Sequence, residues 1–315
     1  MEELLRVRSL ERRFGAKQAL RGMDFRLASG DILGLLGANG AGKTTCLRIL
    51  SGGLAPSRGS VRICGLDLAR APVAARRHLG YLPERPPLYP EMRVDEYLHF
   101  CARLRRIPPG SVNRVVRRVK QRCGLEQVGH RLLGKLSKGY RQRAGLAQAL
   151  IHEPDLVILD EPTDGLDPVQ IREVRALIHD LSPSCGVIVS SHALAEVQSV
   201  CNRVIILRDG SVQHDAVLTP DSANPALLVQ LRRPPDLAQL TALDIIDDAT
   251  PLDHPPDGAS ANAPARYRIR LAGAAGAEQL AEALVGAGWG LLEMATERTD
   301  LERVFFRCIG AEEPA

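Results

Sequence analysis

No stretch of this 315-residue chain approaches the roughly 18 consecutive apolar residues that a membrane-crossing helix needs. The opening Met1-Glu2-Glu3-Leu4-Leu5-Arg6 carries acids where a signal peptide carries bases, so the chain is expected to stay in the cytoplasm. Its seven cysteines, Cys46, Cys64, Cys101, Cys123, Cys185, Cys201 and Cys308, include no C-x-x-C pair. Scattered and odd in number, they read as reduced, mostly packed thiols and not as a disulfide framework or a zinc site. Charge of one sign is also missing in quantity, because a formal net charge of +4 does not demand a nucleic-acid partner. The arginines 103, 105, 106, 114, 117, 118 and 122 are nonetheless dense enough to form a basic helix face. Aromatics are scarce at 3%, and lysine is scarcer among the bases: of 41 Lys and Arg residues only Lys17, Lys43, Lys120, Lys135 and Lys138 are lysine.

With 45% hydrophobic and 25% charged residues, the chain has the composition of a globular protein and the length for two domains. One stretch organises the rest. After the apolar run Ile32-Leu33-Gly34-Leu35-Leu36 comes Gly37-Ala38-Asn39-Gly40-Ala41-Gly42-Lys43-Thr44-Thr45. This strand, glycine loop and helix start follow the P-loop pattern G-x-x-x-x-G-K-[ST]. Small residues there let backbone N–H groups turn inward around phosphates at a helix N-terminus. Lys43 supplies a point charge for the β- and γ-phosphates and the Thr44 hydroxyl a ligand for Mg²⁺. In a chain that otherwise prefers arginine, lysine at this position is pointed.

Leu156 to Pro162 reads as a buried strand ending in two carboxylates, Asp160 and Glu161. Alternation along a strand predicts that they face opposite sides, one towards a metal and one towards an attacking water. Unpaired charge closing an apolar strand is hard to explain by folding alone. Ser137 and Gly139, ahead of a helix expected over Ala144 to Ile151, offer a second anion site, which capping also explains. Phe14, at a turn between expected strands, can stack on a base or fill a core. His192 follows a strand at Gly186 to Ser190, the edge where open α/β sheets bind ligands.

Periodicity places helices at Val94 to Arg105 and Ser111 to Gly124, inside a mainly helical insert spanning about 85–136. Residues 219–225 have linker composition, separating 1–218 from 226–315. The C-terminal part reads strand, helix, strand, strand, helix, strand and a last helix over Asp300 to Ile309, a ferredoxin-like βαββαβ order with no catalytic constellation.

Together these segments resemble the ATP-hydrolysing subunit of ABC transporters over about residues 1–218. The segment Leu79 to Tyr89 and the tail ending Asp300-Leu301-Glu302-Arg303-Val304-Phe305 are similar to the bacterial export-type branch. The resemblance implies a P-loop ABC-type α/β ATPase with an antiparallel β subdomain, a helical subdomain and an appended α+β domain. It implies ATP and Mg²⁺ as cofactors, with Phe14 on adenine and Gly37 to Thr45 around the phosphates. Thr44, Glu84 and Asp160 are implied as metal contacts, and Glu161 as general base. His192 is implied at the γ-phosphate and Asp167 in a loop reaching across a dimer. Ser137, Lys138 and Gly139 are implied to close over ATP held by a second copy in a head-to-tail homodimer.

Glu84 stands where many relatives carry glutamine, and an ionised carboxylate cannot donate. Leu-Ser-Lys-Gly-Tyr replaces Leu-Ser-Gly-Gly-Gln. The partners implied are a membrane permease, docked on residues 84–122, and a second copy, with no nucleic acid. The protein is then peripheral on the inner face of the cell membrane. A soluble ABC ATPase of translation or DNA repair is the alternative, though such relatives usually carry two cassettes or long coiled coils. A third reading makes the tail a ligand sensor or dimerisation module. Absence of an Asn-Lys-x-Asp motif argues against GTP.

Overall fold

The computed structural model describes residues 3–218, 226–252, 264–272, 276–296, 304–305 and 307. The expected linker 219–225, Cys308 and most of the expected last helix lie outside the described residues. The chain divides into two compact units, with Thr219–Val304 forming the second and Phe305 and Arg307 grouping with the first. There the Arg208 Nη1 donates to the Arg307 carbonyl at 3.2 Å.

In the first unit, β1 (Glu3–Phe14), β2 (Lys17–Ala28), β4 (Arg58–Ile63) and β5 (Leu66–Asp67) form an antiparallel sheet in the order β2-β1-β4-β5. Its strands alternate: Leu5, Val7 and Leu10 are buried in β1, whereas Arg8 is exposed. One face therefore packs on the core while the other meets water. A second sheet joins β3 (Ile32–Leu36), β6 (Leu79–Leu82), β7 (Leu156–Asp160), β8 (Gly186–Ser191), β9 (Arg203–Arg208) and β10 (Ser211–Val217) in the order β10-β9-β3-β8-β7-β6. All pairs are parallel except the β9–β10 hairpin. Every residue of β3, β7 and β8 is buried, as both-face coverage of a parallel sheet requires.

The helices are α1 (Lys43–Leu50), α2 (Pro72–Ala75), α3 (Val94–Leu104), α4 (Pro109–Arg122), α5 (Lys138–Leu150), α6 (Pro168–Leu181) and α7 (Leu194–Val200). Helices α3 and α4, with 3-10 turns at 126–128 and 133–135, make up the insert. Proline at the first position of α4 sets φ where no N–H partner is needed. Helix α5 starts six residues earlier than periodicity suggests. Ser137 caps it by accepting from the Tyr140 N–H at 3.4 Å, so residues 138 and 139 lie in its first turn.

Beyond the end of α5, His152 is half-buried; Nε2 donates to the Leu79 carbonyl at 3.0 Å and Nδ1 is buried without a partner. Burial, reinforced by Arg105, pushes its pKa from 6.5 down to about 4. The unfolded chain takes up this proton near pH 6.5 and the folded chain only near 4. His152 is therefore expected to make stability fall as pH drops through that window, with no effect above it. Urea titrations across pH 4–7 check this, and a His152→Asn chain should lose that share of the slope.

The second unit comprises β11 (Leu227–Leu231), α8 (Leu237–Thr241), β12 (Ile246–Pro251), β13 (Ala265–Leu271), α9 (Ala277–Gly286) and β14 (Leu291–Thr296). Its sheet is antiparallel throughout, in the order β12-β13-β11-β14. Val229, Leu231, Ile269, Leu280 and Leu284 form its core.

Candidate functional site

Four parallel strands, β3, β6, β7 and β8, run in one direction, so their C-terminal ends reach one edge of the sheet. Glu84, the loop 37–42, Glu161 and His192 follow those ends, which is where α/β sheets bind ligands. A cleft of about 410 Å³ opens there. It is lined by Phe14, Ala38, Asn39, Gly40, Gly42, Lys43, Thr44, Thr45, Glu84, Glu161 and His192, and also by Lys17, Ala19 and Asp164. Phe14 is 46% exposed at the end of β1, with the Arg12 guanidinium 4.6 Å from its ring centre. That leaves it a free face for stacking instead of a place in the core.

The glycine loop enters α1 at Gly42, whose φ is +109°. A Cβ there would sit 2.9 Å from the Ala19 carbonyl, so both conformation and space select glycine. Lys43 is only 7% exposed; Nζ donates to the Gly37 carbonyl at 2.6 Å and the Ala38 carbonyl at 3.4 Å, and lies 3.9 Å from Glu161 Oε1. Desolvation lowers its pKa, against the pull of Glu161 and Asp160. Gly37 and Ala41 are absent from the lining: the first holds Lys43 through its carbonyl, and the second is buried.

Asp160 ends β7 beneath the cleft, 1% exposed. Ser190 Oγ donates to Asp160 Oδ1 at 2.6 Å and accepts from the Glu161 N–H at 3.0 Å. Burial pushes the Asp160 pKa up, and Glu84 adds to this, while Ser190, Lys43 and a hydrogen bond to Thr44 pull it down. Thr44, Asp160 and Glu84 thus form a cluster of hard oxygen donors beside Lys43, a set that suits Mg²⁺.

The expected strand alternation of Asp160 and Glu161 does not hold. The strand stops at Asp160, and Glu161 turns out with φ +47°, the left-handed region that non-glycine residues seldom adopt. This turn, and not the pleat, parts the two carboxylates. Glu161 Oε2 bonds His192 Nδ1 at 3.0 Å, and the Glu161 side chain is 15% exposed. Burial raises its pKa, with His192 and then Lys43 opposing.

Ser137, Lys138, Gly139 and Asp167 do not line the cleft. Asp167 caps α6 by accepting from the Gln170 N–H at 2.9 Å. Lys138 Nζ donates to Asp164 Oδ2 at 3.0 Å, so the start of α5 touches the cleft through its acidic neighbour. The structure adds Lys17, Ala19, Asp164 and Ser190 to the residues expected from sequence. For Ser190 a signal exists, since Ser190-Ser191 closes one apolar strand as Asp160 closes β7.

Ser190→Ala leaves the Asp160 carboxylate and the Glu161 N–H without their shared partner. The expected loss is about 1–3 kcal/mol of stability, read from urea unfolding.

The ABC transporter family model matches residues 20–164. An uncharacterized ABC transporter ATP-binding protein of Bacillus subtilis (strain 168), YdbJ, is 38% identical over 220 residues, covering 69% of this chain and 70% of that protein. The bacitracin transport ATP-binding protein BcrA of Bacillus licheniformis is 35% identical over 214 residues, covering 67% and 69%. A solved ATP-binding subunit of an ABC transporter superposes with a TM-score of 0.64 at 29% identity, over 76% of this chain and 94% of its own. The family model runs through the loop around Lys43 and the strand ending at Asp160, and with relatives of 35–38% identity matched over more than two thirds of their length the chain belongs to the ATP-binding proteins of ABC transporters and is an ATPase of that fold.

Proposed function

We propose that this subunit powers export of a substrate through a separate membrane permease, by closing head to tail with a second copy around ATP. The observation that carries this reading is a division of the implied site. The phosphate loop, Glu161 and His192 share one cleft, while Ser137 and Gly139 stand outside it at the start of α5. A second copy turned end for end can bring its own Ser137 and Gly139 over that cleft.

In the closed dimer the loop N–H groups and Lys43 hold the phosphates, and Phe14 stacks on adenine. Mg²⁺ bound by Thr44, Asp160 and Glu84 would neutralise phosphate charge. Glu161 accepts a proton from the water that attacks the γ-phosphorus in line; the bond to ADP breaks and phosphate leaves. His192 is hydrogen-bonded to Glu161 and orients it towards the γ-phosphate. Glu84 would serve as a metal ligand but, when ionised, cannot donate to the attacking water as an amide would. The second unit, with its βαββαβ order, is a ferredoxin-like accessory domain outside the chemical step.

Among the described residues no helix is long and apolar enough to cross a membrane. In this proposal a separate permease carries the pathway and holds this subunit at the inner face of the cell membrane. The insert offers a docking face: Tyr89, Phe100 and Leu104 are 46%, 38% and 69% exposed, and the Tyr89 and Phe100 rings meet edge to face at 5.7 Å. Such anchors with a basic surround suit an interface. Tagged protein from detergent-solubilised membranes is expected to bring down a stoichiometric polytopic membrane protein. Phe100→Glu should lose it and retain ATP turnover within about twofold, because Phe100 is an anchor of the docking face and does not line the cleft. Ribosomal or DNA-repair partners alone would contradict the proposal.

A further inference from the structure

At the opposite edge of the central sheet from the cleft, three chemically unlike side chains meet. Parallel register pairs Leu79 of β6 with Leu156 of β7, which sets the residues just before them, His78 and Asp155, side by side. His78 Nδ1 and Asp155 Oδ2 are 2.7 Å apart. Cys64 arrives from the other sheet, at the turn after β4, where the Cys64 N–H donates to the Leu4 carbonyl at 2.8 Å. Its φ of +47° is left-handed, a conformation that a cysteine adopts only when its surroundings impose it. One ligand atom from each of the three, thiol, imidazole and carboxylate, lies within 4.8 Å of the other two.

We propose that Cys64, His78 and Asp155 form a binding site for Zn²⁺, which ties the antiparallel sheet to the central sheet at the start of β6 and β7. The donor set decides the cation. A thiolate excludes Mg²⁺ and Ca²⁺, and a mixed S, N, O set without redox partners is that of zinc. Bond lengths of about 2.0–2.3 Å in a tetrahedron place ligand atoms roughly 3.3–3.8 Å apart. The present spacings, from 2.7 Å to within 4.8 Å, lie on both sides of that range. The His78 and Asp155 side chains, 39% and 52% exposed, have room to adjust by the remaining ångström. Water fills the fourth position, and Cys64 loses its proton on binding.

Reading cysteine spacing along the sequence argued against a zinc site, because a spacing rule sees local pairs only. Here the ligands are separated by 14 and 77 residues and are brought together by strand register. The other described cysteines, 46, 101, 123, 185 and 201, are buried, and burial raises the pKa of each. Among the described cysteines, Cys64 alone is half-buried.

Titration of the untagged full chain with Co²⁺ is the test. One equivalent should give a thiolate-to-cobalt charge-transfer band in the near ultraviolet, displaced by Zn²⁺. Cys64→Ser should abolish the band, with far-ultraviolet circular dichroism confirming the fold. His78→Ala and Asp155→Ala should each weaken Zn²⁺ binding by about tenfold or more. The proposal is overturned if the native chain shows no band, if the band survives in Cys64→Ser, or if neither His78→Ala nor Asp155→Ala changes the affinity. Should Cys64→Ser fail to fold, those two exposed positions decide alone.

Discussion

Glu161→Gln is expected to lower ATP turnover by about 10²–10⁴-fold, the usual share of a general base, while leaving nucleotide affinity largely intact. The amide keeps the size of the side chain and can still meet His192, but it cannot take a proton from water. The left-handed turn at 161 is held by the bond from the backbone N–H to Ser190, which the substitution does not touch. Position is therefore preserved and chemistry removed. The native enzyme carries a pH signature too. Burial raises the Glu161 pKa above its ordinary 4.5, and only the ionised form is a base. Turnover should rise with pH through a midpoint above that value, and the limb should be missing from the residual activity of Glu161→Gln. Turnover within threefold of native would remove Glu161 from this role.

Lys43→Met should weaken ATP binding by at least about 100-fold, or roughly 2.7 kcal/mol, with a much smaller effect on the stability of the nucleotide-free chain. The asymmetry follows from where the ammonium sits. It is 7% exposed, its bonds run to two loop carbonyls, and desolvation already pulls its pKa down. Without nucleotide this cation is a buried charge only partly compensated by Glu161 at 3.9 Å. Its loss ends that desolvation cost but removes one counter-charge from Glu161, which keeps its bond to His192 at 3.0 Å, so the effect on the free chain is expected to be small beside the loss of ATP affinity. With a triphosphate present the same charge meets several negative oxygens, each interaction being about 4 kcal/mol at an effective dielectric near 20. Equilibrium binding of a fluorescent ATP analogue, beside urea unfolding of the free protein, measures both halves. Unchanged affinity would contradict the assignment of Lys43 to the phosphates.

The parts of the site that could be read from sequence are those whose evidence is local. Gly37 to Thr45 is one continuous strand, loop and helix start, and Asp160-Glu161 ends one apolar run. What escaped depends on contacts between distant segments. Ser190 reaches Asp160 across 30 positions, through the β7–β8 register. Lys17, Ala19 and Asp164 line the cleft because a hairpin and a turn bring them there. The separation of Asp160 from Glu161 was foreseen for the wrong reason, since alternation assumes a strand that in fact stops one residue sooner. Helix α5 began earlier than its apolar period because Ser137 caps it, and a period is blind to a first turn that carries Lys138 and Gly139. In the second unit, periodicity supplied the element order, whereas the strand order β12-β13-β11-β14 rests on pairing that a single sequence does not display.

In the proposed mechanism one copy holds half of each site and ATP joins two copies. Light scattering of Glu161→Gln after size-exclusion chromatography, with and without ATP, tests it most directly. A monomer is expected without nucleotide, a dimer with ATP, and a return to monomer when Ser137→Arg is added to the same chain. A chain that binds ATP yet stays monomeric, or a dimer indifferent to ATP and to Ser137→Arg, would contradict it.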